Sequence, residues 1–214
     1  MNDFLNKRGI LAVVSGFSGA GKGTVMKRLM EKYSGYALSV SVTTRSPREN
    51  EEEGVHYFFR SREEFEQLIE EDALIEYAEY QGNYYGTPRK YVEERLEQGQ
   101  DVILEIEMQG AKKVKAKYPD AVLIFITPET FDQLRKRLVN QGTETEEQIA
   151  GRLKRAAEEA VCMKDYDYLA MNLDGAVEEC VDRVHQILQC EHTRTSRNTE
   201  FMEKIRTEAG KGAE

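Results

Sequence analysis

Residues Gly16–Thr24 read Gly-Phe-Ser-Gly-Ala-Gly-Lys-Gly-Thr and follow directly on the apolar run Ile10–Val14. An apolar strand, a glycine-rich turn and a helical segment, in that order, are the context that a phosphate-binding P-loop requires. Glycines let successive backbone N–H groups point at a polyphosphate, and the N-terminus of the next helix adds positive potential. Lys22 would reach the outer phosphates. Because Gly23 follows this lysine, a hydroxyl for Mg²⁺ must come from Thr24, and the stretch predicts a nucleoside triphosphate site.

Apolar runs alternate with segments of helical periodicity along most of the chain. Continuous runs such as Ala121–Thr127 are typical of strands buried on both faces of a parallel sheet. The predicted strands are Ile10–Ser15, Ala37–Val42, Asp101–Ile106, Ala121–Thr127 and Tyr168–Asn172. The predicted helices are Thr24–Lys32, Pro88–Gln98, Gln109–Lys117, Glu129–Asn140, Thr145–Met163 and Ala176–Gln189. We therefore expect an α/β protein with a P-loop three-layer fold and a five-stranded parallel sheet core.

Two segments interrupt this alternation. Residues 43–87 are dense in charged and aromatic side chains and contain the capping box Ser61–Glu64, so they predict an inserted lobe with its own small core. Residues 140–167 combine polar helices with Arg152 and favour a mobile lid. Residues 191–214 show little apolar periodicity and balanced charge, and we expect them to form a loosely held polar tail.

The composition restricts the classes of function. The chain has 214 residues, of which 40% are hydrophobic and 32% charged. Its net charge of −9 argues against nonspecific binding to nucleic acid or to an anionic membrane, since both need a basic face. We find no apolar run of about 18 residues, and residues 1–8 lack the apolar region of a secretory signal. Three cysteines without metal-like spacing favour reduced thiols and a cytoplasmic location.

A second group of candidate residues follows the predicted strand over 37–42. Arg45 and Arg48 lie three positions apart beside a turn-forming proline and suit a single phosphate group. Arg48 also precedes the acidic run Glu49–Glu53, so a solvated ion-pair cluster is the alternative interpretation. The pair Tyr84–Tyr85 is flanked by glycines, which indicates a turn close to a small ligand, although paired tyrosines are more often core residues.

Six segments in a fixed order resemble the guanylate kinase family of P-loop nucleoside monophosphate kinases. The segments are Ser15–Thr24, Ser39–Arg48, Gly54–Phe59, Gly82–Thr87, Glu105–Gly110 and Gly142–Glu144. The resemblance extends from about Ile10 to Gln189 and is far more specific than a P-loop alone. It implies transfer of the γ-phosphoryl group of ATP to GMP, with Mg²⁺ as the cofactor and ATP and GMP as the partners.

The resemblance also implies a division of the chain. A guanylate-kinase-like domain covers residues 1–190, and the polar tail covers residues 191–214. Within the domain, the core is residues 8–35, 90–139 and 168–190, the lobe that binds the nucleoside monophosphate (NMP) is residues 36–89, and the lid is residues 140–167. The sequence leaves the choice between a monomer and a homo-oligomer open.

Two groups of acceptor contacts are implied by the family pattern. The positions that match the phosphate contacts are Arg45, Arg48, Tyr57 and Tyr85. The positions that match the guanine contacts are Ser41, Glu76, Thr87 and Glu107. Guanine offers N–H donors at N1 and N2 and acceptors at O6 and N7, so the carboxylates suit the donors and the hydroxyls suit the acceptors. In AMP the N1 lone pair would face a carboxylate, which disfavours that nucleotide.

The donor side is implied in the same way. The ATP-binding positions are Gly16, Phe17, Ser18, Gly19, Ala20, Gly21, Lys22, Gly23, Thr24 and Asn172. The catalytic positions are Lys22, Arg45, Arg137 and Arg152. Gln141 stands where the family commonly has a third lid arginine, which leaves Arg135 or Arg155 as its replacement. For the Mg²⁺ ion, Thr24 would act directly or through water, and Glu105 through water.

Two alternatives stay open. A kinase of the same fold with another phosphorylated acceptor would keep Arg45 and its neighbours, but it would leave Glu76 and Thr87 without a purpose. A non-catalytic module of this fold would bind phosphopeptide through the same arginines. Such a module is expected to lose the P-loop lysine, whereas Lys22 is present here.

Overall fold

The computed structural model describes residues 8–80, 82–140 and 145–211 of the chain. The strands in these residues are β1 (Leu11–Gly16), β2 (Tyr36–Leu38), β3 (Ser41–Thr43), β4 (Tyr57–Phe59), β5 (Leu74–Tyr80), β6 (Asn83–Pro88), β7 (Asp101–Glu105), β8 (Val122–Thr127) and β9 (Tyr168–Met171). The helices are α1 (Lys22–Lys32), α2 (Arg62–Glu70), α3 (Arg89–Glu97), α4 (Met108–Lys117), α5 (Phe131–Asn140), α6 (Glu146–Ala160), α7 (Val177–His192) and α8 (Thr199–Lys211). Short 3₁₀ turns cover Val161–Asp165 and Thr195–Arg197.

Five parallel strands form the core sheet in the order β2-β7-β1-β8-β9, as the sequence predicted. β1 lies in the middle, where Val13 pairs with Leu104 of β7 and with Leu123 of β8. Alternate residues of β1 enter opposite faces of the sheet. Ala12 and Val14 pack with α1 and α7, whereas Val13 packs with α3 and α4. This burial on both faces explains the continuous apolar run and confirms the three-layer P-loop fold.

One predicted strand is in fact two strands that belong to different sheets. β2 pairs with β7 in the core sheet, and the amide of Ser39 makes the next hydrogen bond, 2.9 Å from the carbonyl oxygen of Ile103. β3 lies in a second sheet, where Val42 pairs with Gly86 of β6. The prediction of a single strand over 37–42 is therefore wrong, because an apolar pattern does not reveal which sheet supplies the pairing partner.

The second sheet forms the inserted lobe. Its four strands lie in the order β4-β3-β6-β5, with parallel and antiparallel pairs. The predicted small core is present and consists of Val42, Phe65 and Leu74. The predicted capping box is confirmed at the start of α2, because the amide of Glu64 donates to Ser61 Oγ (3.1 Å) and the amide of Ser61 donates to the Glu64 carboxylate (2.7 Å).

α6 is the main described helix of the segment predicted as a lid. Leu153 and Ala156 pack it against the core on the α1 face of the sheet. The helix is shorter than predicted, since it ends at Ala160 and continues as a 3₁₀ turn. Gln141 and the motif Gly142–Glu144 lie outside the described residues.

The segment predicted as a loose tail is held at its beginning. Glu191 is only 2% exposed and accepts hydrogen bonds from the hydroxyl of Tyr168 (2.5 Å) and from Nε of Arg197 (3.1 Å). α8 follows and buries no residue. The expectation of loose attachment therefore does not hold at residue 191.

Of the helices in the described part of the chain, none is both long and apolar enough to cross a membrane.

Candidate active site

The P-loop joins β1 to α1, and its glycines are required by space and by conformation. A Cβ atom on Gly16 would lie 2.2 Å from the carbonyl oxygen of Ile126. Gly19 and Gly21 have φ angles of 89° and 87°, in the left-handed region that favours glycine. A Cβ atom on Gly21 would also lie 2.6 Å from Nδ2 of Asn172. The tight turn therefore depends on these three positions lacking a side chain.

The loop ends in an open helix N-terminus. The amide of Val25 donates the first helical hydrogen bond to the carbonyl of Gly21, 3.1 Å away. The amides of Lys22, Gly23 and Thr24 precede it in the first turn, where the helix itself supplies no acceptor. Gly21 is the N-cap residue and has no side chain to cap them. This arrangement suits an anion, which backbone amides and the positive helix end both attract.

Two side chains fix the loop from within. Phe17 is 5% exposed, and its ring lies edge-on to that of Phe125 with 5.0 Å between centroids. Lys22 Nζ donates to the carbonyl oxygens of Gly16 (2.7 Å) and Phe17 (3.2 Å). The ammonium group thus lies over the P-loop, where it could contact a polyphosphate bound by the loop amides.

Three carboxylates act electrostatically on Lys22. They belong to Glu105 at the end of β7, Glu107 at the N-cap of α4 and Glu159 near the end of α6. Burial lowers the pKa of Lys22, and the three carboxylates oppose this shift. Glu105 reaches solvent at the cleft, yet the surrounding protein raises the pKa of its carboxyl group, with Lys22 opposing the rise. Because Val14 of β1 pairs with Glu105 of the parallel strand β7, these groups meet at the carboxyl edge of the core sheet.

Arg137 and Asn172 support the far side of the loop. Asn172 is buried, and its Nδ2 donates to the carbonyl oxygen of Ala20 (2.8 Å). Arg137 donates to the same oxygen (3.2 Å), to the carbonyl of Asn172 (2.6 Å) and to Oδ1 of Asp174 (2.7 and 2.8 Å). A pocket of about 420 Å³ opens beside them, lined by the P-loop, the end of α5 and the turn after β9.

In the lobe, Arg45 lies in a cluster of charged and phenolic groups. Its Nη2 lies 2.8 and 2.9 Å from the two carboxylate oxygens of Glu51, which also accepts a bond from the amide of Arg48 (2.9 Å). These contacts, the guanidinium first, lower the pKa of Glu51 to about 2. Arg45 lies over the ring of Tyr57, 5.4 Å from its centroid, and the ring of Tyr85 is 6.1 Å from that of Tyr57. The structure therefore brings the four predicted phosphate contacts into one region.

Glu76 is a buried carboxylate on β5. It is 7% exposed, and its Oε1 accepts a 2.8 Å hydrogen bond from the fully buried hydroxyl of Thr87. Burial raises the pKa of Glu76, and Thr87, Lys113 and Lys117 oppose the rise. Its other oxygen lies 3.0 Å from the position that a Cβ atom on Gly110 would take, so the first turn of α4 approaches it closely.

The remaining candidates occupy separate elements. Ser41 begins β3, directly opposite Tyr57 of β4. Glu107 is the N-cap residue of α4, three residues before Gly110, so this residue and the carboxylate of Glu76 both lie near the first turn of that helix. Arg152 lies half-buried on α6.

Sequence reasoning missed two partners of the site. Asp174, which holds Arg137, lies 37 residues from it, and no local pattern connects them. Glu51 was visible only as one acid among Glu49–Glu53, and the local pattern did not show which of them faces Arg45.

A P-loop at the carboxyl edge of a parallel sheet, next to a lobe that carries arginines and a buried carboxylate, defines a P-loop phosphotransferase. A family model described as guanylate kinase matches residues 8–191. The chain is 48% identical over 201 residues to the guanylate kinase of Oceanobacillus iheyensis, and the alignment covers 94% of this chain and 97% of that protein. It is 47% identical over 205 residues to the guanylate kinase of Caldanaerobacter subterraneus subsp. tengcongensis, and that alignment covers 96% of this chain and 98% of that protein. The crystal structure of guanylate kinase from Anaplasma phagocytophilum matches with a TM-score of 0.70 and 37% identity over 90% of this chain and 91% of that one.

The chain belongs to the guanylate kinase family. It is an enzyme that transfers the γ-phosphoryl group of ATP to GMP and releases ADP and GDP. The family resemblance of the sequence is thereby confirmed, and this outcome favours the enzyme over both alternatives.

Proposed function

We propose that ATP binds along the P-loop, that GMP binds in the inserted lobe, and that transfer occurs at the carboxyl edge of the core sheet. The observation that carries this proposal is the position of Glu76, a lobe carboxylate that lies against the first turn of α4. α4 follows β7, and β7 is the neighbour of β1, which leads into the P-loop. The two proposed sites thus share the edge where open α/β sheets bind ligands.

We assign the guanine ring to Glu76, Thr87, Ser41 and Glu107. One oxygen of Glu76 is already held by Thr87, which leaves the second to accept from N1–H or N2–H of the base. A carboxylate in a buried site makes strong hydrogen bonds, and it strongly disfavours a base that offers a lone pair instead. This arrangement supports discrimination against adenine.

We assign the phosphate of GMP to Arg45, Arg48, Tyr57 and Tyr85. Arg45 already lies over Tyr57, and Tyr57 is adjacent to Tyr85, so the guanidinium and phenol groups are close enough together to contact one anion. A phosphate monoester has a second pKa of about 6 and is largely dianionic at pH 7. The attacking oxygen therefore needs no general base, and we assign none.

For the transfer step, Lys22 and the loop amides neutralise the outer phosphates of ATP. Arg137 and Arg152 act on the charge of the γ-phosphoryl group in transit, and the guanidinium of Arg137 already lies 3.2 Å from the carbonyl oxygen of Ala20 in the loop. An oxygen of the GMP phosphate forms a bond to the γ-phosphorus of ATP. The bond between the γ-phosphorus and the β–γ bridging oxygen breaks, and ADP leaves. The pocket beside Asn172 is assigned to the adenine ring.

The proposal includes Mg²⁺ as the companion of ATP. Thr24 and Glu105 offer a hydroxyl and a carboxylate at the cleft, both of which are oxygen donors of the kind that Mg²⁺ prefers. Within the described residues, no group of three or more His, Cys, Asp or Glu side chains could hold a metal alone. That fits an ion held largely by substrate phosphates and water, with Glu105 acting through water.

The wider assignments follow the same proposal. The core, the NMP-binding lobe (36–89) and the lid (140–167) are three functionally distinct regions of the domain. Nucleic acid is not a partner, since the chain carries a net charge of −9. Three free cysteine thiols and the use of ATP support a cytoplasmic location.

An acceptor series tests the proposed guanine site. ADP formation from ATP is measured with GMP, IMP, AMP, UMP and ribose 5-phosphate as acceptors. IMP keeps N1–H but lacks the N2 donor, so we expect kcat/KM to fall about 10- to 100-fold relative to GMP, and about 10⁴-fold for AMP. Equal use of GMP and AMP would contradict the role of Glu76, whereas equal use of GMP and ribose 5-phosphate would contradict any base recognition.

A further inference from the structure

Glu76 lies in an irregular part of β5. Residues 74–77 of β5 pair with residues 86–88 of β6, so four residues lie opposite three and the register shifts between them. This is a β-bulge, in which Ile75 and Glu76 together face Thr87. Bulges disturb the hydrogen bonds of a ladder and are frequent beside active sites. The backbone that carries the proposed guanine contact therefore depends on support from outside its own sheet.

Two lysines of α4 hold the backbone on either side of Glu76. Lys113 Nζ donates to the carbonyl oxygen of Tyr77 (2.5 Å) and lies 5.2 Å from the centroid of its ring. Lys117 Nζ donates to the carbonyl oxygen of Leu74 (3.2 Å). The two lysines are four positions apart and therefore share one face of the helix. β5 is an edge strand of the lobe sheet, with β6 as its one strand neighbour, so α4 acts as its second neighbour.

Both lysines also act on the carboxyl group of Glu76. Burial raises the pKa of Glu76, and the hydroxyl of Thr87 and then the charges of Lys113 and Lys117 oppose the rise. Lys117 also pairs with Asp72, 3.1 Å away, and Lys113 has the larger effect of the two. Other charged side chains on the adjoining elements are Arg89, which also binds Asp72, and Glu107 at the N-cap of α4.

We propose that Lys113 and Lys117 are positioning residues for guanine recognition: they hold the bulge of β5 against α4 and supply positive charge beside the carboxylate of Glu76. This inference rests on the proposed assignment of Glu76 to the base. Oε1 of Glu76 is occupied by Thr87, so a proton on the carboxyl group would lie on the second oxygen and face the N–H donors of guanine. The opposing interpretation is purely structural, with lysines that fasten the lobe to α4 and leave the charge of Glu76 unaffected.

Calorimetric titration with guanosine between pH 4.5 and pH 8 separates these two roles. Guanosine has no phosphate group to titrate in this range, so its affinity reports on the base site alone. In the wild type, the affinity should fall at low pH as Glu76 takes up a proton. We expect this fall to begin about half a pH unit higher in Lys113→Gln, and about one unit higher when Lys117→Gln is added, at low ionic strength.

Two further variants control for charge and for packing. Lys113→Arg keeps the positive charge and should keep the wild-type pH profile. The double variant Lys27→Gln/Lys204→Gln removes two charges from exposed positions on α1 and α8, and it should also match the wild type. Added salt screens charges near solvent, so 0.5 M NaCl should reduce the shift in Lys113→Gln.

The outcomes distinguish this inference from the assignment on which it rests. A purely structural role predicts that binding weakens by the same factor at every pH, and that result overturns the proposal, as does a wild-type profile in the double lysine variant. Should the double variant fail to fold, Lys113→Gln and Lys113→Arg provide the same comparison. Glu76→Gln tests the assignment itself: wild-type guanosine affinity at every pH in that variant would show that Glu76 does not bind the base. Loss of affinity in Glu76→Gln together with unshifted lysine variants would overturn the role of the lysines alone.

Discussion

The hydroxyl of Thr87 donates a 2.8 Å hydrogen bond to Oε1 of Glu76, and both side chains are buried in the inserted lobe. A carboxylate in such a place costs stability, because burial disfavours its charged form and raises its pKa. The neighbouring hydroxyl offsets part of that cost and fixes the direction of the free oxygen. This pair therefore provides the sharpest tests of base recognition.

Substitution of Glu76 by glutamine should impair the use of GMP and spare the binding of ATP. The amide replaces an accepting oxygen by an N–H₂ group that meets the N–H donors of guanine. We expect KM for GMP to rise about 10- to 100-fold, with the Kd of ATP unchanged. Glu79→Gln, an exposed change on the same strand, is the control and should behave like the wild type. Unchanged turnover of GMP in Glu76→Gln would mean that another residue reads the base.

The same variant should change how stability depends on pH. The folded-state pKa of Glu76 is raised above its ordinary value of 4.5. The carboxyl group therefore favours the folded state fully below that ordinary value, and the contribution is lost as pH rises through the raised pKa. Each unit of the rise corresponds to about 1.4 kcal/mol. Urea unfolding between pH 4 and pH 7 should show Glu76→Gln gaining stability relative to the wild type as pH increases, and a constant difference would contradict this.

Replacement of Lys22 by alanine should leave a folded protein that transfers phosphate very slowly. The ammonium group lies over the loop, within 2.7 Å of the carbonyl oxygen of Gly16, and burial already disfavours its charge. We expect kcat to fall about 1,000-fold or more, with an unchanged circular dichroism spectrum. Lys27→Ala, an exposed change on the same helix, should retain wild-type turnover. Retained turnover in Lys22→Ala would refute the phosphate role.

Gly21→Ala should distort the loop. Its φ angle of 87° strains any side chain, and the added Cβ atom would lie 2.6 Å from Nδ2 of Asn172. We expect a loss of about 2 kcal/mol in stability and a large loss of ATP affinity. Gly151→Ala should instead stabilise the protein, since no atom lies within 4 Å of the Cβ position at this residue of α6. We expect its free energy of unfolding to increase by at most about 1 kcal/mol. Thermal unfolding and ATP titration of both variants check these expectations.

The sequence predicted the parts of this molecule that depend on neighbouring residues. The P-loop and the capping box at Ser61 each lie within a few positions, and the apolar runs of the core strands reflect burial on both faces. The division of the strand over 37–42 depends instead on two partners, Ile103 and Gly86, that lie far along the chain. Local patterning does not encode that choice.

The site shows the same limit. Arginines at 45 and 137 were recognised as candidates, but their partners Glu51 and Asp174 were not. Glu191 is a similar case. A glutamate in a polar segment is predicted to be exposed, and the sequence does not show that the hydroxyl of Tyr168 lies beside it. A buried acid is stable only where donors from other elements converge, and that convergence exists only in the folded chain.

The chain leaves the core sheet at Ser39 and returns to it through α3, and between these points lie all the residues assigned to GMP except Glu107. Every residue assigned to ATP lies outside this excursion. Under the proposed assignments, acceptor preference therefore depends mainly on one segment of the chain, together with Glu107. Exchange of residues 39–88 between related kinases should move the choice of acceptor from one scaffold to another, while the machinery for the donor nucleotide stays in place.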